Sequence, residues 1–402
     1  MTPLPALVEP AADLDNAEIE RYSRHIIIPE IGEVGQRRLK NARVLVIGAG
    51  GLGSPTILYL AAAGVGTIGI VDFDSVEVSN LQRQVIHGMS DIGRSKLDSA
   101  RDAVAALNPL VDVQLHDVVL DASNALALFA DYDLIVDGSD NFSTRYLVND
   151  AAAIVDKPYI WGSVYRFDGQ VSVFWQRYGP TYRDLFPEAP AVGSAPSCGE
   201  GGVFGMLCAA VGAVMVAEAL KLITGVGETL LGRVLLYDAL SARWRHMTLN
   251  RDPAAPMITE LIDYDAFCGL APRGSAADAK AASEATRATD ATNGVTPQEL
   301  AEMLAARSQG TVDFDLIDVR EPGEHALVSI PGAQLMPQGT IYSGEALAAL
   351  SRDRDLVFYC KAGSRSAGVL AELHRLNYDR VRHLIGGIAA YSAEVQPSQP
   401  RY

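Results

Sequence analysis

The stretch Arg43 to Gly53, RVLVIGAGGLG, reads as a buried β-branched strand that runs into glycines and on into a helix. Working outward, Ser54 to Ala63 carries a helical pattern and Gly66 to Asp72 (GTIGIVD) a second strand. Lys96 to Asn108 is helical, Val111 to Val118 alternates like a strand, and Leu134 to Asp137 is another buried strand. Strand–helix alternation with short loops predicts a parallel sheet wound by helices, an α/β fold. Further along, Gln170 to Trp175 and Gly232 to Leu240 read as strands flanking an apolar helix near Val203 to Ile223.

The chain has 402 residues with 49 acidic and 33 basic side chains, a net charge of -16 and four cysteines. That length predicts two or three domains. An apolar share of 49% excludes disorder throughout, because such a chain can offset its ordering entropy by burial. The acid excess disfavours a nucleic-acid partner, since phosphate neutralisation needs a basic surface. Met1 to Glu20 lacks a basic start and an apolar core, so no signal peptide is read. The longest apolar run, Phe204 to Ala217, stops at Glu218 and is read as too short for a bilayer, which needs about 20 residues. The expectation is a cytoplasmic protein with no membrane partner, whose cysteines Cys198, Cys208, Cys268 and Cys360 stay reduced. Residues 271–294 are rich in alanine, serine and threonine with almost nothing to bury, and read as a flexible linker. It divides a domain of residues 1–270 from a smaller one of residues 295–402, which opens on Thr296 as a helix cap before Pro297.

In the glycine turn, Gly48, Gly50, Gly51 and Gly53 let backbone amides approach a phosphate at a helix N-terminus, and Asp72 can accept from ribose hydroxyls. Alone this says "nucleotide", and an NAD-dependent oxidoreductase with an appended domain stays open. The residues downstream favour a triphosphate. Asp72 begins DFDSVEVSNLQRQ, then comes Gly93-Arg94-Ser95-Lys96, so Asn80, Arg83 and Lys96 place one polar and two cationic groups just past the ribose acid. A dinucleotide is served largely by amides, whereas a triphosphate needs Lys, Arg and a metal. Asp140, in Asp137-Gly138-Ser139-Asp140-Asn141 after a buried strand, suits Mg²⁺ on phosphates.

The RYSR of Arg21 to Arg24, the glycine turn, DFD…SNLQRQ, GRSK and DGSDN, in that order, resemble the ubiquitin-activating-like adenylyltransferases of the MoeB/ThiF family over about residues 15–270. The resemblance implies a Rossmann-like domain that binds ATP and Mg²⁺ and adenylates the C-terminal glycine of a ubiquitin-like sulfur carrier ending in Gly-Gly. It implies ATP contacts from Gly51, Asp72, Asp74, Ser79, Asn80, Leu81, Gln82, Arg83, Lys96, Asp140 and Asn141, and an Arg24 that reaches into a neighbouring subunit's site, hence a homodimer. The family usually holds a structural zinc on two C-x-x-C pairs. Here those positions read Thr181-Tyr182-Arg183-Asp184 and Asp265-Ala266-Phe267-Cys268, so no zinc is expected and packing or hydrogen bonding is expected to tie the loops.

Cys360-Lys361-Ala362-Gly363-Ser364-Arg365-Ser366 follows a strand, Asp355 to Cys360, and opens a helix. A cysteine at a helix N-terminus beside Lys361 and Arg365 is expected to have a lowered thiol pKa, and loop amides can hold a persulfide anion. With a strand at Phe314 to Val319, Asp318-Val319-Arg320-Glu321, Ile330-Pro331-Gly332-Ala333 and Gly386-Gly387, residues 295–395 resemble a rhodanese, a sulfurtransferase α/β domain. The spacing C-x₄-R is one residue shorter than the C-x₅-R of related phosphatases and favours sulfur over phosphate.

The order of the two domains resembles the MoeZ-type fused adenylyltransferase–sulfurtransferases. It implies that Cys360, charged as a persulfide by thiosulfate or a cysteine desulfurase, attacks the acyl-adenylate and expels AMP. Cys198, in the glycine-rich Pro196 to Gly202, stands where the family has a cysteine forming a thioester or a disulfide. A lone thiosulfate sulfurtransferase whose larger domain only docks a carrier is the alternative. His25, His87 and His325 show no metal spacing and are read as structural, and Cys208 as a core residue.

Overall fold

The computed structural model describes residues 4–190, 201–268 and 293–399, which fall into two compact units, residues 4–190 with 202–268 and residues 293–399. In the larger unit Asn16–Ile26 (α1) and Gly32–Asn41 (α2) lead into Arg43–Ile47 (β1), Gly53–Ala63 (α3), Thr67–Val71 (β2) and Lys96–Leu107 (α4). Asp112–His116 (β3), Ala125–Ala130 (α5), Leu134–Asp137 (β4) and Phe142–Ile154 (α6) follow. Then come Tyr159–Tyr165 (β5), Asp168–Phe174 (β6), the short Tyr182–Leu185 (α7), Gly205–Thr224 (α8), Arg233–Asp238 (β7), Arg243–Thr248 (β8) and Tyr264–Phe267 (α9). The sheet order is β3-β2-β1-β4-β5-β6-β7-β8, parallel through β5 and antiparallel from β6.

Two cores cover the two faces of that sheet. Ile57 and Leu60 of α3, Leu97 and Val104 of α4 and Leu207, Val211 and Met215 of α8 pack with Val44 and Val46 on one face. Phe129 of α5 and Tyr146 and Val148 of α6 pack with Leu45 and Ile47 on the other. The alternation of partners along β1 is the period of a strand buried on both sides. The apolar run read as too short for a bilayer belongs to α8, whose 20 residues are long enough by length and composition to cross one. It is instead packed against α3, β5 and β6. Glu218 ends the apolar run but not the helix, which continues to Thr224, close to the expected Ile223. Its carboxylate is buried within α8, paired with Lys221 and accepting from the Leu230 amide at 2.7 Å.

In the smaller unit Gly294–Val295 (β9), Pro297–Ser308 (α10), Phe314–Asp318 (β10), Pro322–Leu327 (α11) and Gln334–Leu335 (β11) are followed by Gln338–Tyr342 (α12), Asp355–Tyr359 (β12), Ser364–Arg375 (α13), Val381–Leu384 (β13) and Gly387–Glu394 (α14). Its five parallel strands run in the order β11-β10-β12-β13-β9. Thr296 caps α10 in a reciprocal box with Glu299, with Pro297 in the first turn. Of the expected linker, residues 271–292 lie outside the described residues, and Gly294 is already in β9, paired with His383.

The turn from β1 to α3 is sterically demanding. Gly48 is left-handed at φ +87°, and a Cβ on Gly53 would collide with the Gly48 carbonyl. A Cβ on Gly50 would meet only Gln84 Nε2, at 3.7 Å. Gly53→Ala therefore lowers the stability of the larger unit by about 1–3 kcal/mol or more, while Gly50→Ala changes it by less than about 0.5 kcal/mol. All three tryptophans, Trp161, Trp175 and Trp244, lie in this unit, so the urea midpoint of tryptophan fluorescence measures both.

Candidate functional site

β1 and β4 are neighbours, yet α3 covers one face of the sheet and α6 the other. The loops leaving their C-terminal ends diverge, and such a point of reversal is where open α/β sheets bind ligands. Both expected phosphate segments meet there: Gly48 faces the Gly138 carbonyl, 3.6 Å from where a Cβ would stand, and the Gly138 amide donates to Ile47 at 2.9 Å.

The acid read as a ribose ligand also holds its own loop. Asp72 Oδ2 accepts from the Ala49 amide and Oδ1 from the Asp74 amide, both at 2.8 Å. Lys96, buried at the first position of α4, donates from Nζ to Asp74 at 2.8 Å. The stem of Arg83 lies over Gly51, with Cδ 3.6 Å from the position of a Cβ there, and its Nη1 donates to the Ser79 carbonyl at 3.1 Å. Cys208 Sγ backs the same glycine. Asn80 Oδ1 accepts from the Glu77 amide at 3.0 Å and Ser79 Oγ donates to Glu77 at 3.2 Å, so these two shape the turn that presents Arg83. Leu81 is half-buried and Gln82 exposed. Asp140 is exposed, while Asn141 caps α6 by accepting from the Thr144 amide at 2.9 Å. Arg24 is exposed in the last turn of α1.

Three buried polar atoms beside these loops have no protein partner among the described residues: Gln84 Oε1, Ser139 Oγ and Arg145 Nε. Buried polar atoms are satisfied in nearly all native structures, so this surrounding fits a polar ligand such as a nucleotide. Asp140 fits Mg²⁺, which is commonly held by one or two carboxylates and the substrate's own phosphates. Gln84 stands within the quoted DFDSVEVSNLQRQ, next to Arg83, and its position there is the signal that could have found it. His87, read as structural, is hydrogen-bonded to the glycine loop at Ala49. Asp137, which the sequence does not single out beside Asp140, is buried. It accepts from the Tyr159 hydroxyl at 2.7 Å, and burial raises its carboxyl above the ordinary range.

In the smaller unit Cys360 is buried at the end of the central strand β12, with Sγ accepting from the Gly363 amide at 3.1 Å and 3.6 Å from Ser366 Oγ. The loop turns its amides this way because its carbonyls are drawn off elsewhere. Cys360 O accepts from the Ile388 amide at 2.9 Å and Lys361 O from Ala389 at 3.0 Å, across Gly387, where a Cβ would press on both carbonyls. Arg365, read as a charge beside the thiol, gives its guanidinium in two bonds of 2.8 and 2.7 Å to Glu324 on α11. Behind them Arg320, fully buried, grips Asp318 through bonds of 2.8 and 2.6 Å and the Val328 carbonyl at 2.7 Å. Cys198 lies outside the described residues.

The loops where the resemblance implies cysteine pairs are joined by an ion pair and rings. Arg183 makes bonds of 2.9 and 2.7 Å to the buried Asp150, which also accepts from Tyr264 at 2.8 Å, and the guanidinium stacks over Phe267 at 4.8 Å. Asp184 accepts from the Thr181 and Asp252 amides at 2.6 and 2.8 Å. Cys268 lies in the core, and burial pushes its thiol up.

Burial alone would raise the Glu324 carboxyl, but Arg365 and the Glu321 amide outweigh it and hold it below the usual carboxylate range. A carboxyl lowered on folding contributes stability that is present above its unfolded value and lost as pH falls through its folded one. The wild type therefore exceeds Glu324→Gln in the midpoint of the thermal step that exposes Cys360 to alkylation, fully near neutral pH and by a margin that shrinks below the usual carboxylate range.

Residues 22–257 match the ThiF family and residues 296–394 the rhodanese-like domain. The chain is 56% identical over 405 residues, spanning 100% of both chains, to the "Probable adenylyltransferase/sulfurtransferase MoeZ" of Mycobacterium tuberculosis. It is 38% identical, over 97% of this chain and 90% of the relative, to the "Adenylyltransferase and sulfurtransferase MOCS3" of Anopheles gambiae. Over 63% of this chain and 97% of the relative it is 52% identical to the "Sulfur carrier protein adenylyltransferase" of Thermus thermophilus. A crystal structure of MccB from E. coli shares the fold with a TM-score of 0.54 and 22% identity, over 59% of this chain and 74% of that one. Glycine loop, cation-bearing strap and cysteine loop thus stand in a chain that belongs to the ThiF family, fused to a rhodanese-like domain: an adenylyltransferase and sulfurtransferase.

Proposed function

We propose that this chain activates a ubiquitin-like sulfur carrier ending in Gly-Gly with ATP and then replaces one carboxylate oxygen of its terminal glycine by sulfur. The observation that carries this reading is the pairing, in one chain, of a glycine loop at a sheet's point of reversal with a cysteine held by the Gly363 amide at the end of a second sheet's central strand.

A carboxylate is a poor electrophile because its negative charge repels nucleophiles and its oxygen cannot leave unless first activated. Attack of the carrier's carboxylate oxygen on the α-phosphorus of ATP forms the acyl-adenylate and releases pyrophosphate. Lys96 and Arg83 offset charge on the phosphates, and Arg24 of a second copy of the chain completes the set, so the working form is a homodimer. An arginine placed this way is worth about 10³–10⁵ in rate in related phosphoryl chemistry. Asp140 would hold Mg²⁺, which when bound supplies further neutralisation of the phosphates.

In the second half the terminal sulfur of a Cys360 persulfide attacks the acyl carbon and AMP leaves, giving an acyl disulfide on Cys360. The Cys198 thiolate then attacks Cys360 Sγ, forming the Cys198–Cys360 disulfide and releasing the thiocarboxylate. An external dithiol reduces that disulfide by two electrons before the next persulfide is loaded. Thiosulfate or a cysteine desulfurase persulfide supplies the sulfur. This cycle suits the cytoplasm, where thiols are kept reduced.

Incubation with ATP, Mg²⁺, thiosulfate and a carrier ending in Gly-Gly, followed by weighing the carrier, shows a gain of one sulfur for one oxygen. Cys360→Ala abolishes that gain and leaves carrier-dependent exchange of pyrophosphate into ATP intact. An unchanged carrier mass alongside active exchange would sink the sulfur-transfer half; sulfur transfer from thiosulfate without any exchange would favour the lone sulfurtransferase.

A further inference from the structure

We infer that His87 is a positioning residue for nucleotide binding, which aims the Gly50 amide into the phosphate crevice through the peptide that joins Ala49 to Gly50. The inference rests on the adenylation reading of the larger unit. His87 is buried in the segment between β2 and α4, with Nε2 3.1 Å from the Ala49 carbonyl oxygen and Nδ1 2.8 Å from Ser99 Oγ. A carbonyl oxygen only accepts, so Nε2 carries the hydrogen, and in the neutral ring Nδ1 accepts from the Ser99 hydroxyl. Both assignments are set by the partners. Burial, the largest influence, lowers the imidazole pKa, and the Lys96 charge acts the same way, against the Ala49 carbonyl, Asp91 and Asp72. The ring is therefore neutral at neutral pH, in the form the geometry requires.

The consequence lies in the peptide plane. In a planar trans peptide the C=O and the following N–H point to opposite sides. With its carbonyl held by His87, the Ala49–Gly50 peptide must turn its N–H away from the imidazole. The preceding peptide is fixed as well, because the Ala49 amide donates to Asp72 at 2.8 Å. Ala49 itself is fully buried, so this tripeptide cannot rotate without breaking both bonds. Among the described residues neither the Gly50 nor the Gly51 amide donates to a protein group, which leaves both for a ligand. Gly50 needs no glycine for steric reasons within the protein, since a Cβ there would touch only Gln84 Nε2. The open space above it is that of a close-approaching ligand.

The same bonds connect the loop to a cation. Ser99 sits on α4 one turn beyond Lys96, and Lys96 is paired with Asp74, whose amide donates to Asp72. Ala49, His87, Ser99, Lys96, Asp74 and Asp72 thus close a ring of contacts, in which His87 links the glycine loop to α4 by one route and Asp72 with Asp74 by the other.

The test uses the full-length chain with His87→Leu, His87→Gln and Ser99→Ala. Glutamine keeps an N–H donor for the Ala49 carbonyl, whereas leucine keeps bulk and removes it. Equilibrium dialysis with labelled ATP and Mg²⁺ measures Kd, and carrier-dependent exchange of pyrophosphate into ATP measures KM and kcat. His87→Leu raises Kd and KM for ATP by about tenfold, the size of one lost buried hydrogen bond, with kcat changed by less than about twofold. His87→Gln stays within about twofold of wild type, and Ser99→Ala falls between. Tryptophan fluorescence in urea checks that the larger unit is folded, and should His87→Leu not fold, the Ser99→Ala and wild-type comparison reads the same contact. An unchanged Kd in His87→Leu, a loss confined to kcat, or a His87→Gln as weak as His87→Leu overturns the proposal. Wild-type protein that binds ATP but exchanges no pyrophosphate overturns the adenylation reading, while the Kd comparison still decides the role of His87.

Discussion

The larger unit's candidate phosphate site depends on how closely Gly53 can approach the carbonyl of Gly48. β1 ends inside the sheet, and α3 must begin after five intervening residues if its first turn is to face the crevice beside β4. That distance is reached only with a left-handed Gly48 and a Gly53 that has no side chain to strike the Gly48 carbonyl. Given this turn, the free amides at the start of α3 and the positive end of its dipole fall at the point of reversal. The remaining parts are arranged around it: Asp72 on one side of Ala49, Arg83 lying over Gly51, Cys208 behind it.

The smaller unit solves a related problem with the same device and a different result. Here too a parallel strand ends, the chain passes a left-handed glycine, Gly363, and a helix begins. In the first loop the Gly50 and Gly51 amides are left open for a ligand. In the second the Gly363 amide is already spent on a side chain, Cys360 Sγ, because Gly387 lets α14 come close enough to take the loop's carbonyls. The group each loop holds therefore belongs to the protein in this loop and is left to a ligand in the other. In both sites a cation that reads as unpaired in the sequence is held by an acid, Lys96 by Asp74 and Arg365 by Glu324. Such pairs fix where the charge stands before any ligand arrives.

This pairing marks the boundary of what the sequence discloses. Strands buried on both faces, such as Val44 to Ile47, are legible because their composition differs from everything around them. Glycine loops are legible because few other residues tolerate them. The strand Arg243 to Thr248 is exposed throughout and has no apolar period, so nothing in RWRHMT announces it. The helix through Glu218 is legible as far as Ile223, but the partners that make its buried charge tolerable, Lys221 and the Leu230 amide, are not. Site residues obey the same rule. Gly51 and Cys360 are recognisable by local spacing, whereas His87 and Glu324 act through contacts 38 and 41 residues away in the chain.

The loops around Arg183 show how such distant contacts divide their work. Removing one partner of a buried ion pair is costly, but the intact pair adds little net stability, since desolvation of both charges offsets their attraction. The Arg183–Asp150 pair is therefore a weak candidate for the force that joins these loops. The rings around it are a stronger one. Tyr146 meets Tyr182 and Phe267 edge-on at 5.1 and 4.9 Å, and Trp161 meets Tyr182 and Phe186 in the same manner at 5.4 and 6.0 Å. Edge-on aromatic pairs add about 0.5–1.5 kcal/mol each beyond the apolar area they bury. Packing of this kind is tolerant of register, because one ring face resembles another. The ion pair is not tolerant: Asp150 must receive two bonds from Arg183 and one from Tyr264 at once. Aromatic burial thus draws the two loops onto α6, and the geometry of Asp150 decides which residues of each loop meet there.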